Sequence, residues 1–445
     1  MSSPIAVDKL ISASWIIPIV PANTVLSECA VAIDNGKIVD LCTQREAALK
    51  YAPREHIELP GQLLMPGLIN SHSHSAMTLL RGYADDLPLE RWLTDAIWPA
   101  ESQLVCDEFV AVGTRLALAE MIASGTTSFA DMYFFPEATA RESSSAGLRA
   151  LLAAPIFDGA GSWGQDADDY IHKTLKLRDN YKSHSLVEIA FGPHAPYSCS
   201  DTTIQKVATF AQELDMAVMI HLHETEQEIA QAVAANGQRP IERLAELGLF
   251  GPRTLCVHMT TANDEELATL QKSGSHIVHC PSSNLKLASG IAPVAHYQSA
   301  GVNVAIGTDG AASNNSLDLF AELRLAALLG KAASADAAAI DCHRALRMAT
   351  LDGARALGWE HKTGSLETGK EADLIAIDLS SPAQQPLYNP ASQLVYTAVG
   401  GCVSHSWVAG QCLLRDGQLT TINQRQLQRE VTEKWQPLIA ALEQD

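Results

Sequence analysis

Val187-Glu188-Ile189-Ala190-Phe191, then the stretch 202–214, then Ala217-Val218-Met219-Ile220: a short apolar run, a longer amphipathic one, and a second short apolar run. Short runs rich in Val, Ile and Phe read as buried strands, and the longer stretch between them reads as a helix. The same unit recurs on both sides. Upstream lie Leu68-Ile69-Asn70, Thr127-Ser128-Phe129-Ala130 and Ala150-Leu151-Leu152-Ala153, with the helical stretch 108–122 among them. Downstream lie Thr254-Leu255-Cys256-Val257, His276-Ile277-Val278 and Val302-Asn303-Val304-Ala305-Ile306. Eight strand-then-helix units predict an α/β fold, a (β/α)8 barrel. An open doubly wound sheet is the alternative, but it would rarely need eight units of such regular spacing.

The two ends of the chain read differently. Ala30-Val31-Ala32-Ile33 and Lys37-Ile38-Val39 flank Asp34-Asn35-Gly36, a hairpin signal. Ser406-Trp407-Val408-Ala409 and Cys412-Leu413-Leu414 repeat the style, with Gly410 and Gly417 as turns. We expect residues 1–65 and 363–445 to pair as one small discontinuous β-sandwich domain around a barrel spanning 66–362. A tail helix should start at the cap Asn423, carry the stripe Leu427, Val431 and Trp435, and end at Pro437.

Composition narrows the function. The chain has 445 residues, with Lys+Arg 31 against Asp+Glu 51 and a net charge of −20. That balance argues against wrapping nucleic-acid phosphates and against an anionic membrane surface. It leaves open a small ligand that contains a purine. No run of about 18 apolar residues predicts a membrane span, and the N-terminus, with Asp8, Lys9, Pro18 and Pro21, shows no signal peptide. Nine widely spaced cysteines without a CxxC read as reduced thiols in a cytoplasmic protein.

In such a barrel the chemistry sits where strands end. Strand one ends in His72-Ser73-His74, whose period of two sends both imidazoles to one side. Strand four is followed by His194, strand five by His221, strand six by His258 and strand eight by Asp309. Each alone could be a hydrogen-bonded core group or a cap. Together, three imidazoles and a carboxylate converging on one point make a mononuclear divalent metal site, suited to zinc with iron next. His223 competes with His221, which is preferred because it directly follows a buried run. His258 reads either as a ligand or as a donor to metal-bound water. Glu224, just past strand five, could carry protons beside the metal, or could simply favour a helix N-terminus. No lysine follows strand four to bridge a second metal, which favours one ion.

Other features have plainer readings. Gly159-Ala160-Gly161-Ser162-Trp163-Gly164 matches GxGxxG, but Asp158, Asp166, Asp168 and Asp169 surround it and oppose a pyrophosphate. We read it as a mobile loop at the barrel mouth. Cys280 reads as a buried thiol, and His279 as a core group or a further site residue.

Met65-Pro66-Gly67-Leu68-Ile69-Asn70-Ser71-His72-Ser73-His74 resembles the opening motif of the amidohydrolase superfamily. The resemblance runs from about residue 5 to about residue 420 and falls in the aminohydrolase branch. There the 5′-methylthioadenosine/S-adenosylhomocysteine deaminases are similar at Met77-Thr78-Leu79-Leu80-Arg81-Gly82, Trp92-Leu93, Phe191-Gly192-Pro193-His194, His221-Leu222-His223-Glu224 and Gly307-Thr308-Asp309-Gly310-Ala311-Ala312-Ser313-Asn314-Asn315. The resemblance implies that His72, His74, His221 and Asp309 hold the metal and that His258 orients the hydrolytic water. It implies that Glu224 protonates the purine ring, that Glu101 and His194 grip ribose and base, and that Trp92 walls the pocket. It also implies hydrolytic loss of ammonia from C6 of adenine, a small-molecule purine nucleoside as partner, and a homo-oligomer. His223 falls where the family varies.

One departure bears on substrate choice. Some members carry an arginine just after strand three, suited to the homocysteine carboxylate. Here that place reads Ala153-Ala154-Pro155, followed by the acidic loop. Without an arginine fork, and with like charge nearby, methylthioadenosine and adenosine should be preferred to S-adenosylhomocysteine. Two alternatives stand beside this reading. One is a sister aminohydrolase acting on guanine, a pterin or a triazine, and the other is a non-catalytic barrel scaffold.

Overall fold

The eight expected runs pair side by side in the order in which they occur. The computed structural model of the protein describes residues 3–442. The barrel strands are Leu68–Ser73, Thr126–Asp131, Arg149–Ile156, Val187–Pro193, Val218–Leu222, Thr254–His258, His276–His279 and Asn303–Ile306, all parallel. Nearly every residue in them is buried, as expected of strands covered on both faces. The helix Asp201–Leu214 shows how the crossovers form. Ser200 caps it by accepting from Thr203 N–H, Ile204, Val207 and Ala211 lie buried on one face, and Asp215 ends it in the left-handed region.

Side chains complete the seam between the first and last barrel strands. Asn70 Nδ2 donates to Thr308 Oγ1 at 2.7 Å, and Thr308 N–H returns a bond to Asn70 Oδ1 at 3.0 Å. Asp309 N–H then reaches the His72 carbonyl at 3.0 Å. Gly307 permits this approach, because a Cβ there would lie 2.8 Å from the His72 backbone nitrogen.

Both ends of the chain join in an eight-stranded sheet separate from the barrel. Its hydrogen-bond ladder runs unbroken from Gln418–Leu419 through Gln411–Arg415, Val403–Val408, Leu374–Asp378, Tyr51–Pro66, Ile5–Ile16 and Leu26–Asp34 to Lys37–Thr43. The link between the halves is antiparallel, with Ile375 opposite Met65 and Ala376 opposite Leu64. Asn35 and Gly36, at φ 50° and 75°, make the hairpin turn whose two left-handed positions suit Asn-Gly.

One buried ion pair ties this sheet to the barrel. Arg149, at the start of the third barrel strand, donates to both carboxylate oxygens of Asp373 at 3.0 and 3.3 Å. Asp373 also accepts from Ala409 N–H at 2.7 Å.

The tail helix departs from expectation. Asn423 caps Gln424–Glu430, and Leu427 and Trp435 are buried, but Pro437 does not end the helix. A widened turn over Val431–Trp435 precedes it, and Gln436–Leu442 continues. The flanking residues face solvent, so water can serve the carbonyl that the proline leaves without a donor. All nine cysteines are unpaired, and no described helix is long and apolar enough to cross a membrane.

Two outcomes follow. Arg149→Ala leaves the Asp373 charge buried without its partner, so chemical unfolding should show a loss of about 3–5 kcal/mol. Glu322, buried on the helix Leu319–Ser334, accepts from Ser282 N–H at 3.1 Å and Asn314 Nδ2 at 2.9 Å. Burial lifts its pKa to about 7 from the usual 4.5. A carboxyl whose pKa is raised by folding stabilises fully below about 4.5, and that contribution is lost as pH rises through about 7. The melting temperature should therefore fall less between pH 5 and 8 in Glu322→Gln than in the unaltered chain.

Candidate active site

Four strand ends bring their polar side chains to one point. His72 lies in the first strand and His74 just past it, so both rings face the barrel mouth. His72 Nε2 and His74 Nε2 lie 3.4 and 3.2 Å from Asp309 Oδ1. His221 Nε2 lies 3.3 Å from His72 Nε2. His258 stands slightly apart, with Nε2 4.0 Å from Asp309 Oδ2 and 3.7 Å from Glu224 Oε2. His258 and Asp309 sit at φ 77° and 64°. Backbone strain of this kind persists only where surrounding bonds over-determine it, and it gathers at functional sites.

The outer ring nitrogens decide what the inner ones can do. His74 Nδ1–H donates to the Met132 carbonyl, and His221 Nδ1–H donates to the His194 carbonyl at 2.8 Å. Each bond places the ring proton outside and turns a lone pair inward, as metal-bound imidazoles require. Burial, followed by the neighbouring rings, holds the pKa of His221 well below its usual value, and burial pushes that of His72 down to about 4. Burial would raise the Asp309 pKa, yet the bonds to His72 and His74 hold it well below the carboxylate range. Burial would lower the His74 pKa, yet its bond to Asp309 lifts it to about 9, so a cation would have to displace that proton. The neutral nitrogens of His72 and His221 beside an ionised carboxylate otherwise fit a divalent cation. Among the described residues, His72, His74 and His221 form the group whose ligand atoms lie within 4.8 Å of one another.

His223 lies outside this group. Its Nδ1 bonds the Thr261 carbonyl at 2.9 Å, and its Nε2 is 3.8 Å from Glu266. The choice between the two histidines of His221-Leu222-His223 thus falls on His221.

A cavity of about 640 Å³ opens over the cluster. Trp92, Glu101, His194, Glu224, His258 and Asp309 all line it. Tyr133 OH donates to Glu101 Oε1 at 2.6 Å, while burial lifts the Glu101 pKa to about 7. Phe157 stacks on His194 with ring centroids 4.8 Å apart, and burial holds His194 neutral, its pKa down at about 3. Ser289 Oγ donates to Glu224 Oε1 at 3.1 Å, and burial raises the Glu224 pKa. A carboxyl held this way is suited to carrying a proton.

The glycine-rich loop reaches the cavity through Gly159, Ala160, Gly161 and Ser162, but its acids do not. Asp158 accepts from Ser200 N–H and Thr203 Oγ1, and Asp166 caps the helix Ala167–Tyr181. Asp168 pairs with Lys206 and Asp169 with Lys173. Lysines thus offset two of the four acids expected at the mouth, and hydrogen bonds hold the other two away from the cavity. The cavity wall is instead apolar, with Leu93, Trp98, Phe134 and Phe157, and among the described residues no lysine or arginine lines it. Cys280 is buried and its thiol pKa is pushed well up by burial, so it is no nucleophile. His279 is buried and does not line the cavity.

Tyr133, Phe157, Asn284 and Ser289 escaped the sequence reading. The first two stand just past the ends of strands two and three. Applying the strand-end rule to aromatic as well as polar residues would have found them.

Residues 63–413 match the family model described as the amidohydrolase family. The chain is 53% identical over 427 residues to the 5-methylthioadenosine/S-adenosylhomocysteine deaminase of Teredinibacter turnerae, covering 96% of this chain and 97% of that one. It is 42% identical to the 5′-deoxyadenosine deaminase of Methanothermobacter thermautotrophicus, over 83% of this chain and 86% of that one. A crystal structure of an adenosine deaminase from Xanthomonas campestris with bound zinc superposes with a TM-score of 0.97 at 45% identity, covering 98% and 100% of the two chains. The chain belongs to the amidohydrolase family and is a metal-dependent aminohydrolase.

The two histidines separate in a metal assay. His221→Ala should lower divalent-ion affinity at least about tenfold, while His223→Ala should keep near-stoichiometric metal by elemental analysis.

Proposed function

We propose that the protein deaminates adenine nucleosides by hydrolysis, taking 5′-methylthioadenosine and adenosine in preference to S-adenosylhomocysteine. One observation carries this reading: a cluster fit for a divalent ion shares a single cavity with Glu224 and with the Glu101–Tyr133 and His194–Phe157 pairs. The relatives named for deamination of such nucleosides support it.

His72, His74, His221 and Asp309 would hold the ion, zinc before iron for a set of nitrogen and carboxylate donors. When bound it supplies a Lewis acid that lowers the pKa of water in its open position. Asp309 and His258 take up the proton as water oxygen adds to C6 of adenine. Glu224 delivers a proton to ring N1. The proton held by Asp309 and His258 passes to the amino nitrogen, the C6–N bond breaks and ammonia leaves, the C6 hydroxyl proton returns to Glu224, and the corresponding inosine derivative remains. Glu101 accepts hydrogen bonds from the ribose hydroxyls, His194 meets the nucleoside, and Trp92 closes one wall.

The substrate preference rests on the cavity wall. A 5′-methylthio group suits Phe134 and Phe157, whereas a homocysteine carboxylate finds no cationic partner among the lining residues.

A steady-state comparison tests the reading. kcat/KM should be higher for methylthioadenosine and adenosine than for S-adenosylhomocysteine, and the reverse order would sink the preference. Glu101→Ala should lower nucleoside kcat/KM by about 10–100-fold through loss of charge-assisted bonds. Ammonia release from guanine, a pterin or a triazine but from no nucleoside would favour the sister aminohydrolases.

A further inference from the structure

The stretch 283–289 follows the seventh barrel strand and supplies none of the metal-suited groups. Three of its side chains nevertheless each bond one of the three groups assigned to proton handling, and those three come from other strands. Ser283 Oγ donates to Asp309 Oδ2 at 2.7 Å. His258 Nδ1–H donates to Asn284 Oδ1 at 2.9 Å. Ser289 Oγ donates to Glu224 Oε1 at 3.1 Å. All three residues are buried.

The sense of each bond matters. A proton on His258 Nδ1 leaves the Nε2 lone pair facing Glu224 and Asp309, the side from which a proton must be taken. The Asn284 amide nitrogen has no partner, so only its oxygen is used. A donor on Asp309 Oδ2 leaves Oδ1 for His72 and His74. The stretch is itself held firmly. Asn284 N–H bonds the Cys280 carbonyl at 3.0 Å, Leu287 N–H bonds that of Ser283 at 2.9 Å, and Ser289 N–H bonds that of Asn284 at 2.8 Å. Glu322 anchors the preceding Ser282.

We propose that the turn after the seventh strand is a positioning element, in which Ser283, Asn284 and Ser289 orient Asp309, His258 and Glu224 together for proton transfer. The proposal rests on the roles given to those three groups under the proposed function. One short rigid segment setting three groups from three strands would keep their mutual geometry constant, which is what proton transfer demands.

The test uses zinc-loaded full-length protein with Asn284→Leu, Asn284→Asp and Ser289→Ala. Asn284→Leu and Ser289→Ala should lower kcat by about 10–100-fold while KM and bound zinc stay within about twofold. Asn284→Asp should restore most of kcat, because its carboxylate can still accept from His258. Nitrogen NMR of histidine-labelled protein, with His258 assigned by its loss in His258→Asn, should show the Nδ1–H form in the unaltered chain and in Asn284→Asp. In Asn284→Leu that preference should be lost. Unchanged kcat in both Asn284→Leu and Ser289→Ala, or an Asn284→Asp no better than Asn284→Leu, would overturn the proposal. So would an unchanged tautomer in Asn284→Leu. Should Asn284→Leu fail to fold, Ser289→Ala, which removes one hydroxyl, decides by kcat. If the unaltered enzyme does not deaminate nucleosides, the functional reading falls, and the tautomer measurement still decides the positioning role.

Discussion

Asn70 and Thr308 lie 238 residues apart in the chain and exchange two buried hydrogen bonds across the barrel seam. Parallel strands cannot close into a barrel by local turns, so the first and last must find each other through the whole fold. With Gly307 bare against the His72 backbone and Asp309 N–H on the His72 carbonyl, closure carries Asp309 to the two histidines of strand one. Opening the seam would separate the carboxylate from its imidazoles. The buried Arg149–Asp373 pair does related work at the far end of the third strand, fixing the second sheet against the barrel.

The site is costly in isolation. It buries His72, His221, His258, Asp309, Glu101 and Glu224, and a group of this kind is tolerated only when each member is bonded. Outward bonds to the carbonyls of Met132 and His194 and to Asn284 answer that demand, and they also select which nitrogen of each ring faces inward. The interactions that stabilise the cluster are therefore the ones that prepare it for a cation and for proton transfer.

Much of the fold was legible because parallel barrel strands are buried on both faces and read as unbroken apolar runs. All eight runs proved to be strands. The candidate ligands were partly legible because strand ends mark the barrel mouth: position pointed to His72, His74, His194, His221, His258 and Asp309, and the family resemblance narrowed these to His72, His74, His221 and Asp309. Residues that act on those groups were harder. Ser283, Asn284 and Ser289 look like an ordinary polar turn, and Tyr133 and Phe157 look like core. The acids of the glycine-rich loop misled for the converse reason: Lys206 and Lys173, which pair with two of them, are distant or unremarkable in sequence. Pro437 misled because a widened turn can carry a helix past a proline on an exposed face.

The sequence by itself determined the strand count, the order of the strands and the residue types at their ends, because hydrophobic periodicity and turn chemistry are local. Only the tertiary structure decided that His221 rather than His223 joins the cluster, since that depends on which ring faces the Thr261 carbonyl and which faces His72. It alone showed that two acids of the loop are paired with lysines, and that one short stretch after the seventh strand bonds three groups from three others. Hydrogen-bond direction and charge pairing depend on distances between residues far apart in the chain, and those distances exist only once the barrel has closed.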